Sequence, residues 1–211
     1  VEDYGVYNVV GGIIVLFSFL NNTMTVATQR FLAYDIGKGN VEDLKKTFAL
    51  TFWIHLGIGI IICILAETVG LFLLHHYINL PEGRLDAALW IFHLSVISLL
   101  IGVTQVPYSA SITAHEKMDI FAYFSILDVA LNLLIVFVLQ WIPFDKLILY
   151  SILLFAVSIL MMTINRIYCI RHFQECRIKW YWDKERFRNI TSYAGWNMTN
   201  HFSYIARTQG V

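Results

Sequence analysis

Charged residues are scarce in this sequence. Aspartate, glutamate, lysine and arginine make up 14% of its 211 residues, whereas 58% of the residues are hydrophobic. Soluble domains carry about 25% charged residues. The composition therefore excludes an ordinary soluble domain and predicts an all-α protein that crosses a membrane several times.

Cysteine, proline and catalytic motifs are also sparse. The sequence has three prolines and three cysteines, and three cysteines give no disulfide framework. Cys169, His172 and Cys176 lack a fourth ligand and match no closed zinc pattern, so no metal site is expected. No glycine-rich phosphate loop, nucleophile elbow or zinc-binding helix motif occurs, and we expect no enzyme activity.

Long apolar runs recur along the chain, separated by short turns and charged loops. The expected spans are residues 7–32, 47–77, 85–114, 120–141 and 146–170, followed by the start of a sixth at residue 189. Each complete span exceeds the roughly 20 residues that cross a bilayer. Arg171–Arg188 is basic and aromatic, which predicts a surface helix that contacts anionic lipid headgroups rather than nucleic acid.

The basic residues are distributed unevenly between the two ends of these spans. Twelve of the fifteen fall at one side, two at the other, and Arg207 lies inside the last span. The positive-inside rule assigns the richer side to the cytoplasm and places Val1 outside. Because the chain starts without a methionine and ends within a helical pattern, we expect a piece of a longer protein, preceded by one helix.

Polar side chains line one face of the first expected span. Asn21, Thr25 and Gln29 recur at steps of four residues, and Arg30 follows them. Such a face needs partner helices or a water-filled cavity. It suits a substrate path, but small polar residues also support close helix packing, and Arg30 at a helix end also suits an anchor in the headgroups.

Four further polar residues fall inside later spans. Gln105 belongs to a similar polar stripe of the third span. Asp128 lies near the middle of the fourth, where an ionised side chain costs about 3 kcal/mol, so we expect it to face the bundle interior. Its role is either a proton or cation site or a structural pair with Asn132. Arg207 suits an anionic ligand or a salt bridge to Asp128.

Four segments resemble the bacterial polysaccharide flippases, the O-antigen and capsule exporters of the multidrug/oligosaccharidyl-lipid/polysaccharide superfamily, with the best fit to the lipopolysaccharide type. They are EDYGVYNVVGG at Glu2–Gly12, ATQRFLAYDIGKGN at Ala27–Asn40, VPYSASITAHEKM at Val106–Met118 and SYAGWN at Ser192–Asn197.

The resemblance implies a MATE-like transporter with two facing lobes of transmembrane helices. Residues 1–188 would form most of the first lobe, ending in a basic cytoplasmic interfacial segment, and residues 189–211 would begin the second lobe. The implied activity is to move an undecaprenyl-pyrophosphate-linked oligosaccharide across the bacterial inner membrane by alternating access, coupled to a proton or a sodium ion. Membrane lipids and proteins of polysaccharide assembly are the other implied partners.

Other functions remain open at this level. A drug or small-cation exporter of the same superfamily shares the expected fold. A membrane polymerase or ligase predicts a large outer loop, whereas the outer loops between these spans are short. A scaffolding bundle predicts that leucine at Asn21, Thr25 and Gln29 preserves function.

Overall fold

The computed structural model describes residues 24–72, 85–141 and 146–209, with side chains described for all of these except residues 85, 198 and 200–209. This part of the chain is helical and contains no β-strand. The helices are α1 (24–38), α2 (Val41–Leu65), α3 (Leu85–Ala114), α4 (Met118–Trp141), α5 (Lys146–His172) and α6 (Lys184–Gln209). A π-helical turn, Ala66–Gly70, continues α2, and a 3-10 turn, Gln174–Cys176, follows α5.

Local side-chain bonds explain where two helices start. The Asn40 carboxamide accepts the Asp43 backbone N–H at 3.2 Å and donates to the Asp43 carboxylate at 2.8 Å, which caps α2. Gly39 supplies the preceding turn with φ +69, a conformation that suits glycine. The Asp183 carboxylate accepts the backbone N–H groups of Glu185 and Arg186 at 2.9 and 3.1 Å, which caps α6.

Four described helical segments are long and apolar enough to cross a membrane: Val41–Gly70, Asp86–Ala114, Met118–Trp141 and Lys146–His172. They match the second to fifth expected spans, so the prediction of an all-α, multi-pass membrane protein is confirmed. Most of the first expected span lies outside the described residues, Asn21 with it. The side chains of α4 are largely exposed, as Ile126 and Val129 show, and lipid is the natural solvent for such a surface.

The chain divides into two compact units. The described part of unit 1 comprises residues 57–72, 85–103, 119–141 and 146–164. Its apolar core is formed by Ile91, Phe92 and Val96 of α3 together with Ala66 and Leu147. Small residues let the helices approach closely here, since a Cβ at Gly70 would lie 2.6 Å from the Phe92 ring.

Unit 2 contains, among the described residues, 24–56, 104–118 and 165–209. Phe48 and Tyr108 pack edge to face at its centre, with ring centroids 5.1 Å apart. Leu32, Ile112 and Ile190 are buried in the same unit. The α1, α2, α3 and α6 segments of unit 2 therefore each contribute to its core.

The prediction of a surface helix over Arg171–Arg188 is wrong. The chain leaves α5 at His172, makes the short 3-10 turn, and then runs without helix until Lys184. Phe173 and Arg177, on either side of the turn, have extended backbone angles. Phe173, Glu175 and Cys176 are buried, whereas Gln174 and the cations that follow Cys176 are exposed. The turn is therefore anchored in the core, and the chain after it presents its cations to solvent.

Candidate functional site

Arg30 lies on an open cleft of unit 2 between α1 and α6. The cleft has a volume of about 450 Å³. It is lined by Arg30, Phe31, Tyr34, Asn189, Ser192, Tyr193 and Trp196. The guanidinium carbon of Arg30 lies 4.3 Å from the centre of the Tyr193 ring, and Phe31 meets the same ring edge to face at 6.0 Å. We call this the Arg30 cleft.

The side chains of the Arg30 cleft combine three kinds of chemistry. Arg30 is exposed, and among the described residues no carboxylate pairs with it. Its guanidinium is hydrogen-bonded to Tyr193, and its remaining donors can bind a phosphate. The aromatic rings offer flat apolar faces, and Asn189 and Ser192 offer hydrogen bonds. A cleft of this size and mixed lining is suited to a ligand with an anionic group and a polar body.

The other two described residues of the first polar face lie nearby on the same helix. Thr25 and Gln29 are both half-buried and precede Arg30 on α1. They flank a buried stripe that includes Met24, Ala27 and Thr28. The polar face therefore borders the packed side of α1, while Arg30 reaches the open cleft.

Gln105 also belongs to unit 2, on α3. Its two amide atoms are shielded from solvent, and within the described residues neither makes a hydrogen bond. No hydrogen bond therefore joins Gln105 to the polar face of α1 in this part of the chain. An unpaired buried amide costs free energy, about 1–3 kcal/mol on protein scales, which water or a bound ligand would recover.

Arg166 is a cation that the sequence prediction did not place at a site. It lies within α5, half-buried, and its Nη2 donates to the Thr104 hydroxyl at 2.7 Å. Its guanidinium carbon lies 5.2 Å from the Tyr108 ring and 6.0 Å from the Phe52 ring. The Arg166 Nε is buried without a hydrogen-bond acceptor among the described residues. Arg166 is therefore bonded to Thr104, the residue that precedes Gln105, and retains one donor without an acceptor among the described residues.

Asp128 and Asn132 lie on α4 in unit 1, and both are half-buried. Asn132 donates its side-chain N–H to the backbone carbonyl of Asp128 at 2.9 Å. That bond does not engage the Asp128 carboxylate, and among the described residues no ion pair does. The side chain of Arg207 lies outside the described part of α6, so its pairing with Asp128 stays a prediction.

Other polar groups of unit 2 are held in closed networks. The Glu175 carboxylate is buried and accepts hydrogen bonds at 2.7 Å from the Ser111 hydroxyl and from His115 Nε2. The His115 ring also stacks on Phe173 at 4.3 Å. The Cys176 thiol lies 3.7 Å from the Ser111 hydroxyl, and a hydrogen bond with Cys169 together with burial raises the pKa of Cys176.

A second closed network joins the start of α6 to α1 and α2. Arg186 donates to the buried Asp35 carboxylate at 3.1 Å, to the Asp43 carbonyl at 3.0 Å and to the Thr47 hydroxyl. Its other nitrogen lies 3.1 Å from the Asp43 carboxylate. Thr47 in turn donates to Asp35. Because these groups are hydrogen-bonded to one another, they are suited to anchoring α6 to α1 and α2 rather than to binding a ligand.

A family model described as MatE matches residues 2–138. That match covers more than half of the chain, including α1 to α3 and most of α4, and the family lies in the multidrug/oligosaccharidyl-lipid/polysaccharide exporter superfamily. Comparison with curated proteins gave no match, and comparison with solved structures gave none either. With its apolar spanning helices, the chain belongs to the MatE family of membrane transporters.

Proposed function

We propose that this chain is part of a transporter that moves a lipid-linked oligosaccharide from the inner to the outer leaflet of a bacterial inner membrane. The proposal builds on membership of the MatE family and on the resemblance of four segments to polysaccharide flippases. The structural observation that carries it is the Arg30 cleft, which combines an available guanidinium with aromatic and amide groups.

The chemistry of such a substrate suits this cleft. A pyrophosphate carries negative charge and oxygen acceptors that a guanidinium binds in a two-pronged manner. Sugar rings have apolar faces that pack on aromatic side chains such as Trp196, and hydroxyls that Asn189 and Ser192 can bond. Under the orientation that the charge count predicts, Arg30 lies toward the cytoplasm, the side from which the substrate would enter.

Coupling to a proton requires a proton acceptor inside the membrane, and coupling to a sodium ion requires oxygen ligands there; a carboxylate can serve as either. Asp128 fits this role because its carboxylate is half-buried and has no ion partner among the described residues. A carboxylate at such a position is costly unless it serves binding or exchange. We therefore assign Asp128 as the coupling group and Asn132, bonded to its carbonyl, as a neighbour that fixes the local helix.

The aromatic rings of the cleft favour a second cargo, an organic cation, because cations bind over ring faces. Tyr193 and Trp196 would serve such a drug or dye. Arg30 would repel it, which is why the anionic substrate stands first.

The decisive experiment uses the full-length protein in cells that lack the native copy. Arg30→Gln removes the cation, Arg30→Lys keeps the charge without the planar fork, and Lys117→Gln removes an exposed cation from the α3–α4 turn as the matched control. We expect surface polysaccharide to fall by about tenfold in Arg30→Gln, the equivalent of one charge-assisted hydrogen bond of ~1.4 kcal/mol. Arg30→Lys should be intermediate, and Lys117→Gln should match the wild type.

Two further measurements separate the candidates. Asp128→Asn should reduce export while leaving the protein abundant in the membrane. Undiminished polysaccharide in both Arg30→Gln and Asp128→Asn would contradict the proposed roles. Dye resistance that depends on Tyr193 and Trp196, with no effect on polysaccharide, would establish the organic cation as cargo instead.

A further inference from the structure

A second cleft of unit 2 is lined almost entirely by cations. Lys45 from the first turns of α2 and Gln174, Arg177 and Lys179 from the segment after α5 enclose about 340 Å³. Lys45 contacts Glu42 at 3.4 Å. Arg177 and Lys179 are exposed, and neither has an acidic partner within the ranges that the structure describes. We call these four residues the basic cleft. Because Arg177 and Lys179 are not neutralised, the cleft is suited to binding an anion.

The segment that carries these cations is held at both ends. Before Arg177, the buried Glu175 is bonded to Ser111 and His115 at 2.7 Å. After Lys179, Trp180 packs on Trp53 with ring centroids 4.7 Å apart, and the Trp53 indole N–H lies 3.5 Å from the Lys179 carbonyl. The cations are therefore presented by an ordered extended segment, and binding an anion there costs little additional ordering.

The buried network also explains which side chains of the segment face the basic cleft. Phe173, Glu175 and Cys176 point into the core, whereas Gln174, Arg177 and Lys179 line the cleft. The closed contacts of Glu175 have no role in the Arg30 cleft. Their effect is to hold two cations opposite Lys45.

We propose that the basic cleft binds the phosphate group of an anionic membrane lipid. Trp180 and Trp182 follow the cations in the chain and are exposed, by 74% and 56%. Exposed indoles collect at the headgroup level of membranes. Cations beside such rings meet lipid phosphates there, and the positive-inside count places this segment at the cytoplasmic leaflet, where anionic lipids attract basic segments. The site is independent of the proposed cargo of the Arg30 cleft.

The test compares two variants of the full-length protein with equal loss of charge. The cleft variant is Lys45→Gln/Arg177→Gln/Lys179→Gln. The control is Arg171→Gln/Lys184→Gln/Arg188→Gln, which removes three exposed cations of the same basic stretch that do not line the cleft. Phosphatidylglycerol and phosphatidylcholine retained by the detergent-purified protein are counted by native mass spectrometry.

We expect the wild type to retain phosphatidylglycerol over phosphatidylcholine, and the cleft variant to lose this preference by about tenfold more than the control. Equal losses in the two variants would show a diffuse charge effect and overturn the proposal, as would a wild type without preference. If the triple variant does not fold, the single change Lys179→Gln should still lower retention below that of Lys184→Gln.

Inorganic phosphate distinguishes a lipid from a soluble source. In the wild type, phosphate added at the same concentration as the lipid should leave bound phosphatidylglycerol in place, because the acyl chains add apolar burial that a free ion lacks. Displacement of the lipid by an equal concentration of phosphate would overturn the assignment to a membrane lipid. Export assays separate this result from the Arg30 proposal, since neither variant changes a residue of the Arg30 cleft.

Discussion

Replacing Glu175 by alanine should release the segment that follows α5. The carboxylate accepts from the fully buried Ser111 and from His115, each at 2.7 Å. Its removal leaves the fully buried Ser111 hydroxyl without an acceptor, at a cost of about 1–3 kcal/mol, and the half-buried His115 ring as well, at a smaller cost. We take a total of about 3 kcal/mol, which at ~1.4 kcal/mol per decade raises the open population of this segment about 100-fold.

The Cys176 thiol reports that opening directly. It is buried beside Ser111, and the hydrogen bond with Cys169 and burial raise its pKa, so the reactive thiolate is rare while the segment is closed. In the open segment the thiol regains its ordinary pKa. Maleimide labelling of Cys176 at constant pH, read peptide by peptide by mass spectrometry, should therefore be about 100-fold faster in Glu175→Ala than in the wild type.

Two companion variants make the result specific. Glu175→Gln keeps one acceptor oxygen and should label at an intermediate rate. Glu185→Ala removes an exposed carboxylate of α6 and should label as slowly as the wild type. Labelling of Cys176 that is equally slow in Glu175→Ala and wild type would refute the reasoning, because the network would then not hold the segment closed.

Two predictions concern stability, measured by thermal unfolding in detergent. Gly70→Ala should lower the free energy of unfolding by about 1–3 kcal/mol because the new Cβ would lie 2.6 Å from the buried Phe92 ring. Gly57→Ala is the control: a Cβ there meets nothing within 4 Å, so the change should be neutral or stabilising by up to about 1 kcal/mol. Equal shifts in the two variants would contradict the packing argument. Arg186→Gln should cost about 2 kcal/mol because Asp35 stays buried without its cation, and a double variant with Asp35→Asn should recover part of that loss, an outcome that independent sites would not give.

The helices were predictable because long apolar runs have few alternatives in a membrane protein. The prediction for α3 coincides with Leu85–Ala114, and that for α4 differs by two residues at its start. The helices α2 and α6 start at Val41 and Lys184, earlier than residues 47 and 189, where the apolar runs begin. Both begin with a polar first turn closed by a side-chain cap, Asn40 for α2 and Asp183 for α6, and counting apolar residues does not detect a capped polar turn.

The extended path after α5 was not predictable from composition. Basic and aromatic residues are typical of an interfacial helix, and a buried glutamate in such a segment gives no signal on its own. The path is decided by Ser111 and His115, which donate hydrogen bonds to the Glu175 carboxylate. Both lie more than fifty residues earlier in the chain. Such tertiary contacts override local preference, and one sequence does not reveal them.

The candidate site was predictable in part. Arg30 stood out as a cation at the end of a polar helix face, but its partners Tyr193 and Trp196 lie on α6, distant in the chain. Arg166 is one of the twelve basic residues that the charge count assigns to the cytoplasmic side, although α5 places it half-buried beside Thr104 and Tyr108. Its signal was its position within an apolar run, before the last turn of the helix, where a cation needs a partner.

The state of the hydrogen bonds separates the polar residues of this chain into two kinds. Arg186 and Glu175 have buried partners that satisfy them and gain nothing from a ligand. Gln105 and Arg166 have shielded donors without acceptors among the described residues, and Arg30 faces an open cleft. Binding a polar substrate recovers free energy only at groups of the second kind. A substrate path through unit 2 should therefore follow the unpaired groups, and substitutions there should alter export more than stability, whereas substitutions of the closed networks should do the reverse.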